Sequence, residues 1–208
     1  MSWKQSIARS FRILGYDLSR YLPDRHPDAQ LSQLMKAYDT GLVLDVGANE
    51  GQYAMDLRSN GYCGKIVSFE PLSSAYGQLQ KAASKDTLWQ SFNSALGSAP
   101  GTSTINIAGN STSSSLLGML PAHKKAAPTS IYVSTEEIQV DTLDSVLPRL
   151  DPWRGSVWPK IDTQGYEAEV LKGALNSLGR IECIQLEMSL IPLYEGSESF
   201  ETLLSWML

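Results

Sequence analysis

The 208-residue sequence predicts an α/β fold: a doubly wound, mostly parallel sheet covered by helices on both faces, with a helical extension before it and an inserted β-hairpin. Three observations carry that prediction. Short runs rich in apolar and β-branched residues recur at 42–46, 65–69, 88–96, 157–162 and 181–188. Stretches of helical periodicity separate most of them, at 53–59, 73–83 and 167–178. Alternation of this kind gives a parallel sheet buried on both faces and joined by right-handed crossovers. The third observation is local. In LVLDVGANEGQY, Leu42 to Tyr53, a strand pattern ends in an acid and a glycine turn opens a helix.

The elements follow in order. From residue 3 to 38, Ile7, Phe11, Leu14 and Leu18, and then Leu31, Leu34, Met35 and Tyr38, recur at helical steps. Pro23 and Pro27 interrupt the pattern, so two helices are expected, joined by LPDRHPD, with Asp28 as N-cap of the second. Residues 1–40 are read as this extension and 41–208 as the α/β domain. Between about 97 and 151 the alternation lapses. There TSTINIAGN and IYVSTEEIQV read as an added strand pair, and the Ser-rich NSTSSSLLG between them as a loop over the ligand crevice. At the end, SESFETLLSWML reads as an amphipathic helix capped by Ser197 or Ser199, with Phe200, Leu203, Leu204 and Met207 on one face.

Composition excludes several function classes. With 42% hydrophobic and 19% charged residues the chain has the balance of a globular protein and no signature of disorder. A formal net charge of −5, with Lys124-Lys125 as the only dense basic pair, argues against a nucleic-acid partner. The local exception is a short positive stretch near the N-terminus, with Lys4, Arg9, Arg12 and Arg20. Cys63 and Cys183 show neither metal-ligand nor disulfide spacing, so reduced thiols and no metal are expected. There is no apolar window of about 18 residues and no signal-peptide core. A cytoplasmic protein without a membrane span is the expectation.

Ligands of an open parallel sheet bind beyond the carboxyl ends of the strands, where strand order reverses, and the first strand-to-helix turn is a usual wall. Three readings of that turn compete. A P-loop needs Gly-x-x-x-x-Gly-Lys-Ser/Thr, and Gly47 to Gly51 lacks the spacing, the lysine and the hydroxyl. A dinucleotide turn needs Gly-x-Gly-x-x-Gly; here Asn49 stands at the middle glycine, and Asp45 and Glu50 would repel a pyrophosphate. A cationic ligand suits those acids. Gly47 and Gly51 permit a tight bend and close approach. Glu70, ending the second strand in VSFEP, is placed to accept from both hydroxyls of a ribose. Together these features point to S-adenosylmethionine. Taken singly, Asp45 as a turn-former, Glu70 as a helix-cap neighbour and Gly51 as a packing glycine are the plainer readings.

VLDVGANEGQY, VSFEP, NSALG, VDTLD and KIDTQGYEAEVLKGA follow one another in an order and spacing that resembles the FkbM-type methyltransferases, from about residue 41 onward. The first motif alone is generic to class I methyltransferases, whereas the set is specific. The resemblance implies a Rossmann-like class I methyltransferase fold and S-adenosylmethionine-dependent O-methylation of a sugar, glycan or polyketide-like acceptor. By position it implies Asp45, Gly47, Asn49 and Gly51 along the methionine end of the cofactor and Glu70 on the ribose. Ala95 and Leu96 would lie beside the adenine and Asp162 would face the methyl, with Ala48 and Pro71 completing the cofactor-binding set. The N-terminal helices look like those of polysaccharide-cluster members. The strand pair that usually finishes the family core is expected to be missing, and a sheet edge so exposed would invite pairing with a second copy as a homodimer.

Methylation of a hydroxyl requires the acceptor oxygen to shed its proton. Asp162, at the crevice end of the fourth strand, is the first candidate for base or acceptor-orienting group, with a helix cap as its plainer role. Glu187 in CIQLEMSL ends the next strand beside it, and an acid in an apolar strand is costly to bury without a function. Lys160 reads as a solvated strand-end lysine, although it could neutralise a carboxylate. Glu167 reads as a first-turn acid favoured by the helix dipole, and His26 and His123 as loop histidines, His123 at the surface. Asn110, Ser113, Ser114 and Ser115 offer donors to a polyhydroxyl acceptor or the cofactor carboxylate. Tyr194, Trp153 and Trp158 suit either sugar stacking or packing. Two other functions stay open: a nicotinamide-dependent oxidoreductase, and a module that binds S-adenosylmethionine without turnover.

Overall fold

The computed structural model describes residues 3–16, 24–150 and 152–208, and it divides into two compact units between Leu34 and Met35. The first holds α1 (Trp3–Ile13) and most of α2 (Pro27–Ala37), the two helices the periodicity predicts. Pro27 occupies the first helical position, where its φ is preset and its missing N–H leaves no orphan, and His26 O accepts from Gln30 N. Asp28 therefore sits within the first turn, favourable to the helix dipole, and is not the N-cap. Leu18 and Pro23 lie outside the described residues.

The second unit runs β1 (Thr40–Val46), α3 (Gln52–Ser59), β2 (Lys65–Phe69), α4 (Ser73–Ala83), β3 (Trp89–Phe92), β4 (Ala95–Leu96), β5 (Gly101–Ala108), α5 (Pro121–Ala126), β6 (Tyr132–Asp141), α6 (Leu143–Val146), β7 (Ser156–Ile161), α7 (Glu167–Lys172), β8 (Gln185–Leu186) and α8 (Phe200–Met207). Five of these strands form a parallel sheet in the order β3-β2-β1-β7-β8. The chain steps outward from β1 to β3 and returns to the other side of β1 as β7, so strand order reverses between β1 and β7. That is the doubly wound arrangement, and its switch point sets where a ligand crevice opens. Alternation along β1 sends Leu42, Leu44 and Val46 into a core with Val67, Phe69, Val157 and Ile161, closed by Leu143, Val170, Leu171 and Leu203 from the later helices.

The inserted segment is more than a hairpin. β5 and β6 are antiparallel as expected, but residues 109–131 join them, and β4 adds in parallel to β6 to make a three-stranded sheet. Residues 88–96, expected as one strand, divide between the two sheets. Asn93 donates its side-chain amide to the carbonyls of Glu70 and Pro71, both at 2.9 Å, and turns the chain out of the main sheet.

Residues 181–188, also expected as one strand, pair only at β8 and at a bridge from Ile181 to Val157. Ile161 O accepts from Glu187 N on that edge of β7, and alternation puts Pro159 on the same edge, where it has no N–H to give. The helix expected over 167–178 stops at Lys172. Gly173 backs so closely onto Gly97 that a Cβ would lie 1.9 Å from its carbonyl oxygen. Ser199, rather than Ser197, caps α8 by accepting from Thr202 N at 3.1 Å.

Candidate active site

Parallel register turns the strand ends into three rows. Asp45, Ser68, Lys160 and Gln185 align across β1, β2, β7 and β8. One residue on, Val46, Phe69, Ile161 and Leu186 face the apolar core. One further, Gly47, Glu70, Asp162 and Glu187 stand where the strands finish. The same triplet is visible in the sequence as DVG, SFE, KID and QLE.

A cavity of about 510 Å³ opens at the switch point, within the roughly 300–1,000 Å³ of small-molecule sites. Of the expected residues, Gly47, Ala48, Asn49, Glu70, Pro71, Ala95, Leu96 and Asp162 line it. The N–H groups of the glycine turn are satisfied largely by the end of β2. The N–H groups of Gly47 and Ala48 donate to Phe69 O, that of Gly51 to Ala48 O, and that of Asn49 to Glu70 Oε2 at 2.8 Å. Leu72 N donates to Glu70 Oε1 at 2.9 Å. Glu70 is thus fixed by two backbone donors, and each oxygen keeps capacity for a further hydrogen bond. Burial pushes its pKa up to about 7, against the pull of those two N–H groups.

Gly47 has φ +75°, and a Cβ there would lie 1.9 Å from the Asp162 carbonyl oxygen. Gly47→Ala is therefore expected to push the ends of β1 and β7 apart and lower the melting temperature. The left-handed backbone alone accounts for roughly 1–3 kcal/mol of that loss, and a thermal melt measures it.

Asp45 does not reach the cavity. It is fully buried one row behind the wall, where Lys160 Nζ lies 3.3 Å from its Oδ1 and Ser68 Oγ donates to its Oδ2 at 3.3 Å. Lys160 Nζ is also 3.4 Å from Asp162 Oδ2 and donates to Gly47 O at 3.3 Å. The lysine expected in solvent is only 9% exposed, and it neutralises the acids gathered at the switch point. Burial works against its charge, but Asp45 and Asp162 more than offset that and hold its pKa above the usual lysine value. Burial pushes Asp45 up, with Lys160 opposing.

Glu50 is exposed and off the wall, so the acids of the turn are not what a ligand meets. Gly51 is off the wall too. At φ +93°, a Cβ there would press on Trp89 and Leu79, which makes it the packing glycine of its plainer reading. The carboxyls the cavity does present are Asp56, Glu70 and Asp162, set against the Lys160 ammonium.

Asp162 and Glu187 come side by side, as the adjacency of β7 and β8 requires. Gln164 Nε2 donates to Asp162 Oδ1 at 2.8 Å and to Glu187 Oε2 at 2.7 Å. Gln164 is itself held: its Oε1 accepts from Tyr194 OH at 2.6 Å and its carbonyl from Ser115 Oγ at 2.7 Å. Glu187 departs from expectation in being exposed, outside the main cavity and beside a smaller one of about 50 Å³, because β8 is an edge strand. The two carboxyls shift each other in opposite directions. The hydrogen bond to Asp162, and then burial, pushes Glu187 up to about 8. Burial raises Asp162, but the bonds from Glu187 and Gln164 and the charge of Lys160 reverse that and leave it below the usual carboxylate range.

Neighbouring residues support this turn. Glu167 accepts from the N–H groups of Thr163 and Gly165 at 2.9 and 3.1 Å, so it knits the loop together and does more than favour a dipole. His123 is buried, not at the surface, with its ring edge-on to Tyr194 at a centroid distance of 5.0 Å, and burial lowers its pKa. From the Ser-rich loop, Ser111, Thr112, Ser114, Ser115 and Leu116 reach the wall, while Asn110 Oδ1 accepts from Ser113 N within the loop. Trp153, Trp158 and Tyr194 are not on the wall.

Sequence reading missed Gln52, Tyr53, Asp56, Leu72, Gln164, Tyr166 and Gln185. A signal existed for one of them: the repeated triplet pairs Gln185 with Lys160. Tyr53, in the first turn of α3, is placed only by the fold, where it donates to Gln185 Oε1 at 2.8 Å.

A parallel sheet with one reversal of strand order, a cavity there and a buried carboxyl ending the second strand define a Rossmann-like α/β protein built to hold a small ligand. The family model for the methyltransferase FkbM domain matches residues 45–208, and the chain belongs to the FkbM methyltransferase family. Among solved structures it is similar to the methyltransferase FkbM from Methylobacillus flagellatus KT, with 17% identity and a TM-score of 0.48 over 72% of this chain and 33% of that one. The chain thus spans about a third of the length of that protein. No curated protein matches it.

Proposed function

We propose that this methyltransferase uses S-adenosylmethionine and methylates a hydroxyl of a sugar, glycan or polyketide-like acceptor. The observation that carries the reading is Glu70, a buried carboxyl held by two backbone N–H groups at the cavity wall. The residues present fit the cofactor. Glu70 has acceptor capacity for two ribose hydroxyls, Phe69, Leu72, Ala95 and Leu96 offer an apolar slot for an adenine ring, and the excess of carboxyls suits a cation. Gly47, Ala48, Asn49 and Pro71 would complete the wall. Asp45 would act through Lys160 and Gly51 through helix packing, neither by contact.

When bound, S-adenosylmethionine supplies a methyl group activated by its sulfonium. The chain's own part is to orient the acceptor hydroxyl and take its proton. Asp162 lines the cavity, and at neutral pH its pair with Glu187 holds one proton and one negative charge. Asp162 accepts the hydrogen bond of the hydroxyl and, with Glu187, receives the proton. Gln164, fixed by Tyr194 and Ser115, keeps both carboxyls in position.

A nicotinamide dinucleotide fits less well. Its pyrophosphate needs available N–H donors at the turn, and those of Gly47, Ala48, Asn49 and Gly51 are all engaged inside the protein. Isothermal titration with S-adenosylhomocysteine and, separately, NAD tests the choice. Saturable binding of the first and none of the second is expected; the reverse would overturn the reading. Methyl transfer to a panel of sugars then distinguishes an enzyme from a module that only binds.

A further inference from the structure

The proposed reaction makes no use of the most patterned feature of the N-terminal unit. At about 100° per residue, Trp3, Ile7 and Phe11 of α1, and Leu14 in the turn that follows, fall on one stripe, with Arg9 and Arg12 on the other side. The stripe is solvent-exposed along its length: Trp3 by 69%, Ile7 by 43%, Phe11 by 41% and Leu14 by 70%. A helix of 11 residues is marginal in water by itself, so covering that stripe would stabilise it.

Charge indicates what covers it. Lys4, Arg9 and Arg12 are the charged residues among the first 16, and the first acid is Asp17, although the whole chain carries −5. Packing α1 against α1 of a second copy would bring like charges together. An anionic surface is complementary instead. An apolar stripe with a tryptophan, backed by arginines, is the pattern of a helix lying at the headgroup–acyl boundary of a bilayer.

We propose that α1 is an interfacial helix that docks this chain onto an anionic lipid surface, with the Trp3, Ile7, Phe11 and Leu14 stripe at the acyl boundary and Arg9 and Arg12 on lipid phosphates. Such attachment lies on the membrane, and no helix among the described residues is long and apolar enough to cross one. It is independent of what the cavity binds.

Co-sedimentation of the full chain with phosphatidylcholine vesicles, with and without one-third phosphatidylglycerol, tests this. The chain should sediment with the anionic vesicles at low salt and be released as salt rises. Joint Arg9→Glu and Arg12→Glu substitution should lower partitioning on the order of tenfold or more, and joint Ile7→Glu and Phe11→Glu should abolish it. Failure to sediment with either vesicle, or sedimentation that survives both pairs of substitutions, would overturn the proposal. So would a lipid-free dimer dissolved by Phe11→Glu, which would give the stripe to a second copy.

Discussion

Glu70→Ala is expected to weaken S-adenosylhomocysteine binding at least about a hundredfold, equivalent to about 2.7 kcal/mol. Two ribose hydroxyls on one carboxylate are worth about 1.5–3 kcal/mol each. The substitution also leaves the N–H groups of Asn49 and Leu72 without their acceptor, so the turn itself loosens. The pH dependence separates these effects. Hydroxyl donors bind the ionised form of Glu70, whose pKa burial raises to about 7, so affinity should climb between about pH 6 and pH 8 and level off above.

Stability should move the other way. Because the folded pKa lies above the unfolded value near 4.5, the contribution of Glu70 is fully present below 4.5 and is lost as pH rises through about 7. Glu167 and Glu187 are raised as well and add to the same slope, so the informative comparison is with Glu70→Gln, which should flatten part of it. Titrations and melts across that range give both curves. An affinity that stays flat with pH and ignores the substitution would remove Glu70 from the site.

Lys160→Met should be among the most destabilising single changes in the protein, at about 3–5 kcal/mol, the usual result of removing one partner of a buried ion pair. Asp45 is fully buried, and without the ammonium 3.3 Å away its charge has only Ser68 to meet it. The loss should shrink on acidification. An Asp45 whose folded pKa is raised stabilises the fold below its unfolded pKa, and that contribution disappears as pH rises through the folded value. Joining Asp45→Asn to Lys160→Met should restore most of the stability, because both charges then leave together. A double-mutant cycle of thermal melts measures the coupling. Single and double variants that melt like the wild type would mean that no such pair forms.

Several elements were legible because each is a local pattern. Apolar runs, helical steps and the Gly47 turn locate β1, α3, β2 and α4 within two residues, and Glu70 is conspicuous as an acid that ends a strand just before a proline. The pairing of β5 with β6 and the adjacency of Asp162 and Glu187 also held, but other inferences about neighbours failed. The single run over 88–96 reads as one strand, yet Asn93 hooks it onto the end of β2 and sends β4 into the second sheet. Asp45 and Glu50 look like the charged lining of the turn. Lys160, distant in sequence, comes into register with Asp45 and makes it a foundation of the wall, while Glu50 turns to solvent.

By itself the sequence determined the alternation of strands and helices, the place of the glycine turn and which acids end the strands, since these follow from backbone propensity and side-chain period. Which of those acids face a ligand, which are neutralised by Lys160, and which are bridged by Gln164 were decided only when β1, β7 and β8 paired in parallel. Register is a long-range contact, and at a buried strand end it sets the charge of each site through distances of about 3 Å that no local pattern encodes.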